Sequence, residues 1–164
     1  MTTETSKPRR KADDSGNIHL DQGSITDTSK AFGSFSIALS DVALIGEFTT
    51  ESGPFIDDWF MVFVPCSRPD WFEASMYAQG GKEFREQLSS ALASPIHGSL
   101  AASTNFCSRI IWPTDFADRP LFTFAPVKDP GVFRRLQLAV LPEVSHRLSA
   151  DVISAIQRKR VKES

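Results

Sequence analysis

The sequence feature that most limits the fold is an unbroken run of apolar residues from Trp59 to Val64. Asp58 precedes the run and Pro65 follows it, so it is far too short to be a membrane-spanning helix. A short run that is apolar at every position is typical of a β-strand buried on both faces. We therefore predict that this segment is a central strand of a sheet.

Other segments show the alternation of apolar and polar residues that is typical of half-buried strands. The clearest begins at Phe35, where apolar residues alternate with serines, and proline or glycine ends several of the others. Including the central run, strands are predicted at residues 35–39, 42–48, 59–64, 72–78, 106–112, 121–125 and 133–141.

Two segments change to helical spacing. Between Lys82 and Leu92, apolar residues recur every three or four positions. A second helix is predicted from about residue 150 to Arg160, with Ser149 as its N-cap and basic residues in its last turn, where the helix dipole favours cations. The apolar face of this helix is predicted to consist of Val152, Ile153 and Ile156.

These elements predict an α+β fold, with a mainly antiparallel sheet or barrel of about six or seven strands and two helices. Residues 1–31 contain few apolar side chains, so we expect a disordered polar tail. Residues 32–160 are expected to form a single α+β domain, and residues 161–164 a frayed C-terminus.

An internal repeat is suggested by six residues that are each identical to the residue 61 positions later in the chain. The first such pair is Phe55 and Phe116, and the last is Phe72 and Phe133. A duplication would divide the domain into halves at 32–92 and 106–160, related by a pseudo-twofold axis with a groove between them. Chance matching of frequent Phe and Pro residues is the alternative.

Composition argues against several classes of function. The formal net charge of −2 provides no basic surface for nucleic acid. The polar N-terminus predicts no secretory signal and hence a cytoplasmic protein, and no apolar run is long enough to span a membrane. Cys66 and Cys107 are expected to be reduced, buried thiols, and we expect no cofactor.

Acidic residues near the central strand provide one catalytic hypothesis. Asp57, Asp58 and Glu47 could hold a divalent metal in a small hydrolase, with the site in a cleft between the halves. Adjacent residues on a strand point to opposite faces, so Asp57 and Asp58 would not chelate one ion together. A role at the strand entry is favoured for this pair.

Two further motifs have simple structural explanations. Gly80, Gly81 and Lys82 precede a helix and could bind an anion, but the spacing of a phosphate-binding loop is missing. Cys107 and His97 could form a nucleophile and base, but they lack any recognisable signature. A tight turn and a buried thiol are the favoured interpretations, so no catalytic residue is assigned.

The aromatic residues supply the leading functional hypothesis. The chain has 13 Phe but one Tyr, and more aromatic residues lie near its turns than turns require. Exposed aromatic side chains mark interaction sites. We therefore expect a non-enzymatic protein-interaction module, or a small regulatory or assembly subunit, that binds another protein or itself. A barrel that binds a lipid headgroup or peptide is a third hypothesis. The expected partner-binding residues are Trp71, Phe72, Phe55 and Phe116.

Overall fold

The computed structural model describes residues 15–51, 57–68, 70–126 and 144–162. Within these residues there are nine strands and two α-helices. The elements are β1 (Asn17–Asp21), β2 (Ser24–Ser29), β3 (Gly33–Ala38), β4 (Val42–Thr49), β5 (Trp59–Pro65), β6 (Phe72–Ser75), α1 (Gly81–Leu92), β7 (Cys107–Trp112), β8 (Phe122–Pro126), β9 (Val144–Leu148) and α2 (Ala150–Lys162).

The predicted α+β class with antiparallel strands and two helices is confirmed in the described residues. The nine strands exceed the six or seven expected, and they form three sheets where one sheet or barrel was expected. The strand orders are β1-β2-β3, β6-β5-β4-β7 and β8-β9, and every neighbouring pair is antiparallel.

The four-stranded sheet is covered on both of its faces. Every residue of β4 is buried, and β5 lies between β4 and β6, as the apolar run predicts. Side chains alternate across the sheet, so Ile45 and Phe63 belong to a first core cluster, whereas Leu44 and Val62 belong to a second. Burial on both faces explains why these strands lack the apolar and polar alternation of an exposed sheet.

The first cluster is completed by the β1-β2-β3 sheet and by α1. Ile25 and Ile37 from the three-stranded sheet are buried in it, together with Phe84 and Leu88 of α1. The spacing of Phe84 and Leu88 places them on one face of the helix, as predicted. At its start, Gly80 has a φ of 75° that only glycine adopts easily, and a side chain there would meet the carbonyl oxygen of Ile18.

The second cluster is completed by the β8-β9 hairpin and by α2. Phe122 packs against the sheet together with Val152, Ala155 and Ile156 of the helix. Ser149 caps α2 as predicted, because its hydroxyl oxygen accepts a 3.4 Å hydrogen bond from the Val152 amide. The same hydroxyl donates a 2.6 Å bond to the Pro120 carbonyl, which joins the helix start to the segment before β8.

The expectation of a disordered tail to residue 31 is wrong for residues 15–31. β1 and β2 form a hairpin there, and Ile18 and Ile25 are buried. The apolar side chains are few, but strand periodicity places them on one face, where β3 and α1 cover them. Residues 1–14 lie outside the described residues.

Several element boundaries also differ from the expectation. β6 ends at Ser75 and a turn follows, in which the Ser75 hydroxyl accepts a 3.2 Å bond from the Tyr77 amide. Cys107 is exposed and not buried, whereas Cys66 is buried as expected. α2 continues to Lys162, past the expected frayed end at 161. The strand predicted at 133–141 lies outside the described residues.

The internal repeat stays a prediction. β5 and β8 both end in a proline, as the offset that aligns Pro65 with Pro126 requires. The same offset would place a copy of α1 from residue 142 onward, but the described residues 144–148 form β9. Phe55 and Phe133 lie outside the described residues.

Candidate binding groove beside the last helix

The described aromatic residues named as partner-binding do not form one exposed patch. Trp71 packs against the second core cluster, whereas its neighbour Phe72 packs against the first, so the sheet separates their side chains. Phe116 is only 4% exposed. Phe55 lies outside the described residues.

Phe116 is covered by two cationic side chains. It ends a 3₁₀ turn, and the guanidinium groups of Arg119 and Arg158 each lie 5.0 Å from the centre of its ring. Cation–π contacts of this kind stabilise the packing of a ring that is already part of the core. Phe116 therefore offers no open face to a partner.

Trp71 is half-buried and held in a fixed orientation. Its indole Nε1 donates a 2.8 Å hydrogen bond to a carboxylate oxygen of Glu73. Its ring lies 5.0 Å from the Phe122 ring and 5.4 Å from the His146 ring, measured between ring centres. The same Glu73 oxygen is 3.6 Å from Nε2 of His146. Three contacts thus position the indole as a wall of the adjacent cavity.

That cavity, which we call the α2 groove, has a volume of about 390 Å³ and lies between α2, β9 and the segment before β6. Its volume is within the range of about 300–1,000 Å³ that is usual for ligand sites. The groove is lined by Arg68, Trp71, His146, Arg147, Leu148, Ile153, Ile156, Gln157 and Arg160.

α2 contributes to the groove with the stripe next to its core-facing stripe. Ile153, Gln157 and Arg160 follow one another at helical spacing along one side. Ile153 is 49% exposed, although the sequence pattern placed it on the apolar core face. An exposed isoleucine beside a tryptophan leaves apolar surface facing solvent in the groove.

The polar residues of the groove are mostly basic. Three arginines line it, and no aspartate or glutamate does so within the described part of the chain. Arg160 donates from Nε to the Cys66 carbonyl at 2.9 Å, and Arg68 forms a 2.5 Å ion pair with Asp70. Arg147 is exposed on β9. The groove therefore combines an apolar floor with a positively charged rim.

Glu47, a candidate metal ligand, is fully buried and held by other parts of the protein. Its carboxylate accepts hydrogen bonds from Arg109 Nε at 2.5 Å, from the Trp59 indole at 2.7 Å and from the Ser99 amide at 2.8 Å. Arg109 is its direct cross-strand neighbour in β7. These donors occupy the oxygens that a metal ion would need.

Asp57 and Asp58 have separate partners. Asp57 is buried and accepts a 2.5 Å hydrogen bond from the Ser75 hydroxyl, whereas Asp58 accepts a 2.9 Å bond from the Tyr77 hydroxyl. Both contacts attach the entry of β5 to the end of β6 and its turn. Among the described residues, no group of three His, Cys, Asp or Glu side chains is arranged to hold a metal ion.

Asp27 is a second fully buried carboxylate, which the sequence did not single out. Neither of its oxygens has a hydrogen-bond partner within the described residues. Burial raises its pKa from 3.8 to about 6, and the opposing effects of the Thr28 backbone and of His19 are smaller.

Sequence reasoning found Trp71 but missed the rest of the groove. β9 was not predicted, because His146 and Arg147 interrupt its apolar pattern. The alternation of Val144, His146 and Leu148 is the signal that could have identified the strand.

No protein-family model, curated protein or solved structure matches this chain. No helix in the described residues is long and apolar enough to cross a membrane.

Proposed function

We propose that this chain is a non-enzymatic protein-interaction module, acting as a regulatory or assembly subunit, and that it binds its partner in the α2 groove. One observation carries the proposal: a half-exposed isoleucine, Ile153, lies in the same cavity as Trp71, whose ring is fixed by Glu73, Phe122 and His146. An apolar cavity whose tryptophan is already held in place accepts a side chain of a partner without first having to order that wall.

The residue types in the groove support this proposal. Tryptophan and arginine are enriched among residues that dominate binding energy at protein interfaces, and the groove contains Trp71 together with three arginines. The three candidate metal ligands support binding over hydrolysis as well, since Glu47, Asp57 and Asp58 each make hydrogen bonds within the protein.

A displayed library of random peptides, selected on the purified full chain, tests the proposal. Each enriched peptide is then titrated against Ile153→Asn and against Val161→Asn. Val161 is a matched control, because it is also β-branched, lies on the same helix, is 77% exposed and does not line the groove. Melting temperatures establish that both variants fold.

We expect Ile153→Asn to weaken binding at least about tenfold, which corresponds to about 1.4 kcal/mol. Val161→Asn is expected to leave the affinity unchanged. If the library yields no binder, or if all binders tolerate Ile153→Asn, the proposal is wrong.

A further inference from the structure

The α2 groove also indicates the chemistry of its partner. We propose that it binds an acidic segment of another protein, in which an apolar side chain is flanked by carboxylates. This inference rests on the proposed function of the groove and adds the charge of the ligand.

The first argument is the local sign of charge. The whole chain has a net charge of −2, yet three arginines line the groove, no lining residue described here is acidic, and the ion pair with Asp70 offsets one of the three charges. The positive charge is therefore confined to the rim of the groove, since the protein as a whole is slightly acidic. It favours a partner of opposite charge and disfavours a cationic one.

The second argument is the placement of the arginines. Arg68 precedes β6, Arg147 is on β9 and Arg160 is on α2, so each belongs to a different wall of the groove. An apolar side chain that contacts Trp71 and Ile153 would therefore have arginines on more than one side. Guanidinium groups bind carboxylates with two parallel hydrogen bonds, which gives them a geometric preference for this anion.

The third argument is that Arg160 is already positioned. The Cys66 carbonyl accepts hydrogen bonds from Nε and Nη2 of Arg160, whereas the guanidinium of Arg68 pairs with Asp70 and lies over the ring of Phe72, away from Trp71. Groups held in place lose little conformational entropy when a ligand binds. Arg147 is exposed and supplies a second charge.

A nucleic acid fits these observations less well. Binding of single strands needs an aromatic face on which a base can stack. The Trp71 ring is already packed near Phe122 and His146, and its N–H is bonded to Glu73. The indole therefore presents only part of its surface, which is sufficient for an aliphatic side chain of a peptide.

The test uses the peptides that depend on Ile153 in the library selection. We expect them to be enriched in Asp and Glu around one apolar residue, and to bind several-fold more weakly when the salt concentration is raised. In the same titrations, Arg147→Gln is expected to weaken binding about three- to tenfold. Arg158→Gln is the control, since Arg158 is exposed on α2 but does not line the groove.

The outcomes separate the two proposals. Absence of any groove-dependent peptide contradicts the proposed function itself. Groove-dependent peptides that are neutral or basic, or that tolerate Arg147→Gln, leave the function intact and overturn the acidic partner. Displacement of the peptides by an oligodeoxythymidine at lower concentration than by unlabelled peptide would also overturn it. So would a salt-resistant dimer of the chain that Ile153→Asn dissociates.

Discussion

Glu47 and Asp27 are both fully buried carboxylates, but they lie in opposite kinds of environment. Glu47 accepts hydrogen bonds from an arginine, an indole and a backbone amide, whereas neither oxygen of Asp27 has such a partner in the described part of the chain. A charge in a low-dielectric interior is tolerated when it is paired and hydrogen-bonded, and otherwise its pKa shifts toward the neutral form. The comparison shows that burial alone does not determine whether an acid stabilises the fold.

The largest expected effect comes from removing the cationic partner of Glu47. Arg109→Met should lower the free energy of unfolding by about 3–5 kcal/mol, because it leaves a buried carboxylate without its counter-charge. Urea denaturation at neutral pH measures this loss. The double variant Glu47→Gln with Arg109→Met should recover part of it, and equal losses in the single and double variants would contradict the assigned role of the pair.

A smaller effect, which depends on pH, is expected at Asp27. A carboxyl whose pKa is raised from 3.8 to about 6 keeps its proton longer in the folded state than in the unfolded state. The contribution of Asp27 to the free energy of unfolding should therefore fall as the pH rises from about 4 to about 6, by at most about 3 kcal/mol, and stay constant above that range. Denaturant titrations across this range measure the slope.

Asp27→Asn separates this effect from the other carboxylates. The variant should be more stable than the original chain at pH 7.5, by up to about 3 kcal/mol, because an amide cannot ionise. At pH 4 the difference should be close to zero. Asp21→Asn is the control, since Asp21 is exposed on the neighbouring strand. A gain that persists at pH 4 would show that ionisation of Asp27 is not its source.

The smallest effect tests one neutral donor to Glu47. Trp59→Phe removes the 2.7 Å bond from the indole but keeps an aromatic ring, and it should cost about 1–2 kcal/mol, because Glu47 keeps its other donors. Trp112→Phe, at a half-buried position on β7, is the matched control for loss of ring size. If the two variants lose equal stability, the indole bond contributes nothing beyond packing.

The sequence predicted the elements that bury side chains in a core, because burial imposes a regular spacing of apolar residues. The apolar run of β5 and the helical spacing of Phe84 and Leu88 were sufficient to locate a central strand and α1. β1 and β2 were missed because few of their side chains are apolar. Those side chains form part of a buried face only when β3 pairs with β2. Pairing over long sequence distances leaves little trace in local composition.

The candidate site was also predicted only in part. Trp71 stood out as an aromatic residue near a turn, but Ile153 was assigned to the core, because helical spacing cannot distinguish a buried stripe from its neighbour. The hydrogen-bond partners of Glu47 could not be predicted from the local sequence either. Arg109 and Ser99 lie far along the chain, and only the pairing of β4 with β7 brings them to the carboxylate.

The attachment of Glu47 to the segment between α1 and β7 has a further consequence for chain connectivity. Glu47 accepts the amide of Ser99, and Arg109 donates to the carbonyl of His97, so the link from residue 93 to residue 106 is tied down near its middle. The entropic cost of closing a loop grows with its length. A link anchored at an interior point behaves as two short connections, each with its own closure, and the anchoring side chains belong to β7, which the link leads into, and to β4, its neighbour in the sheet.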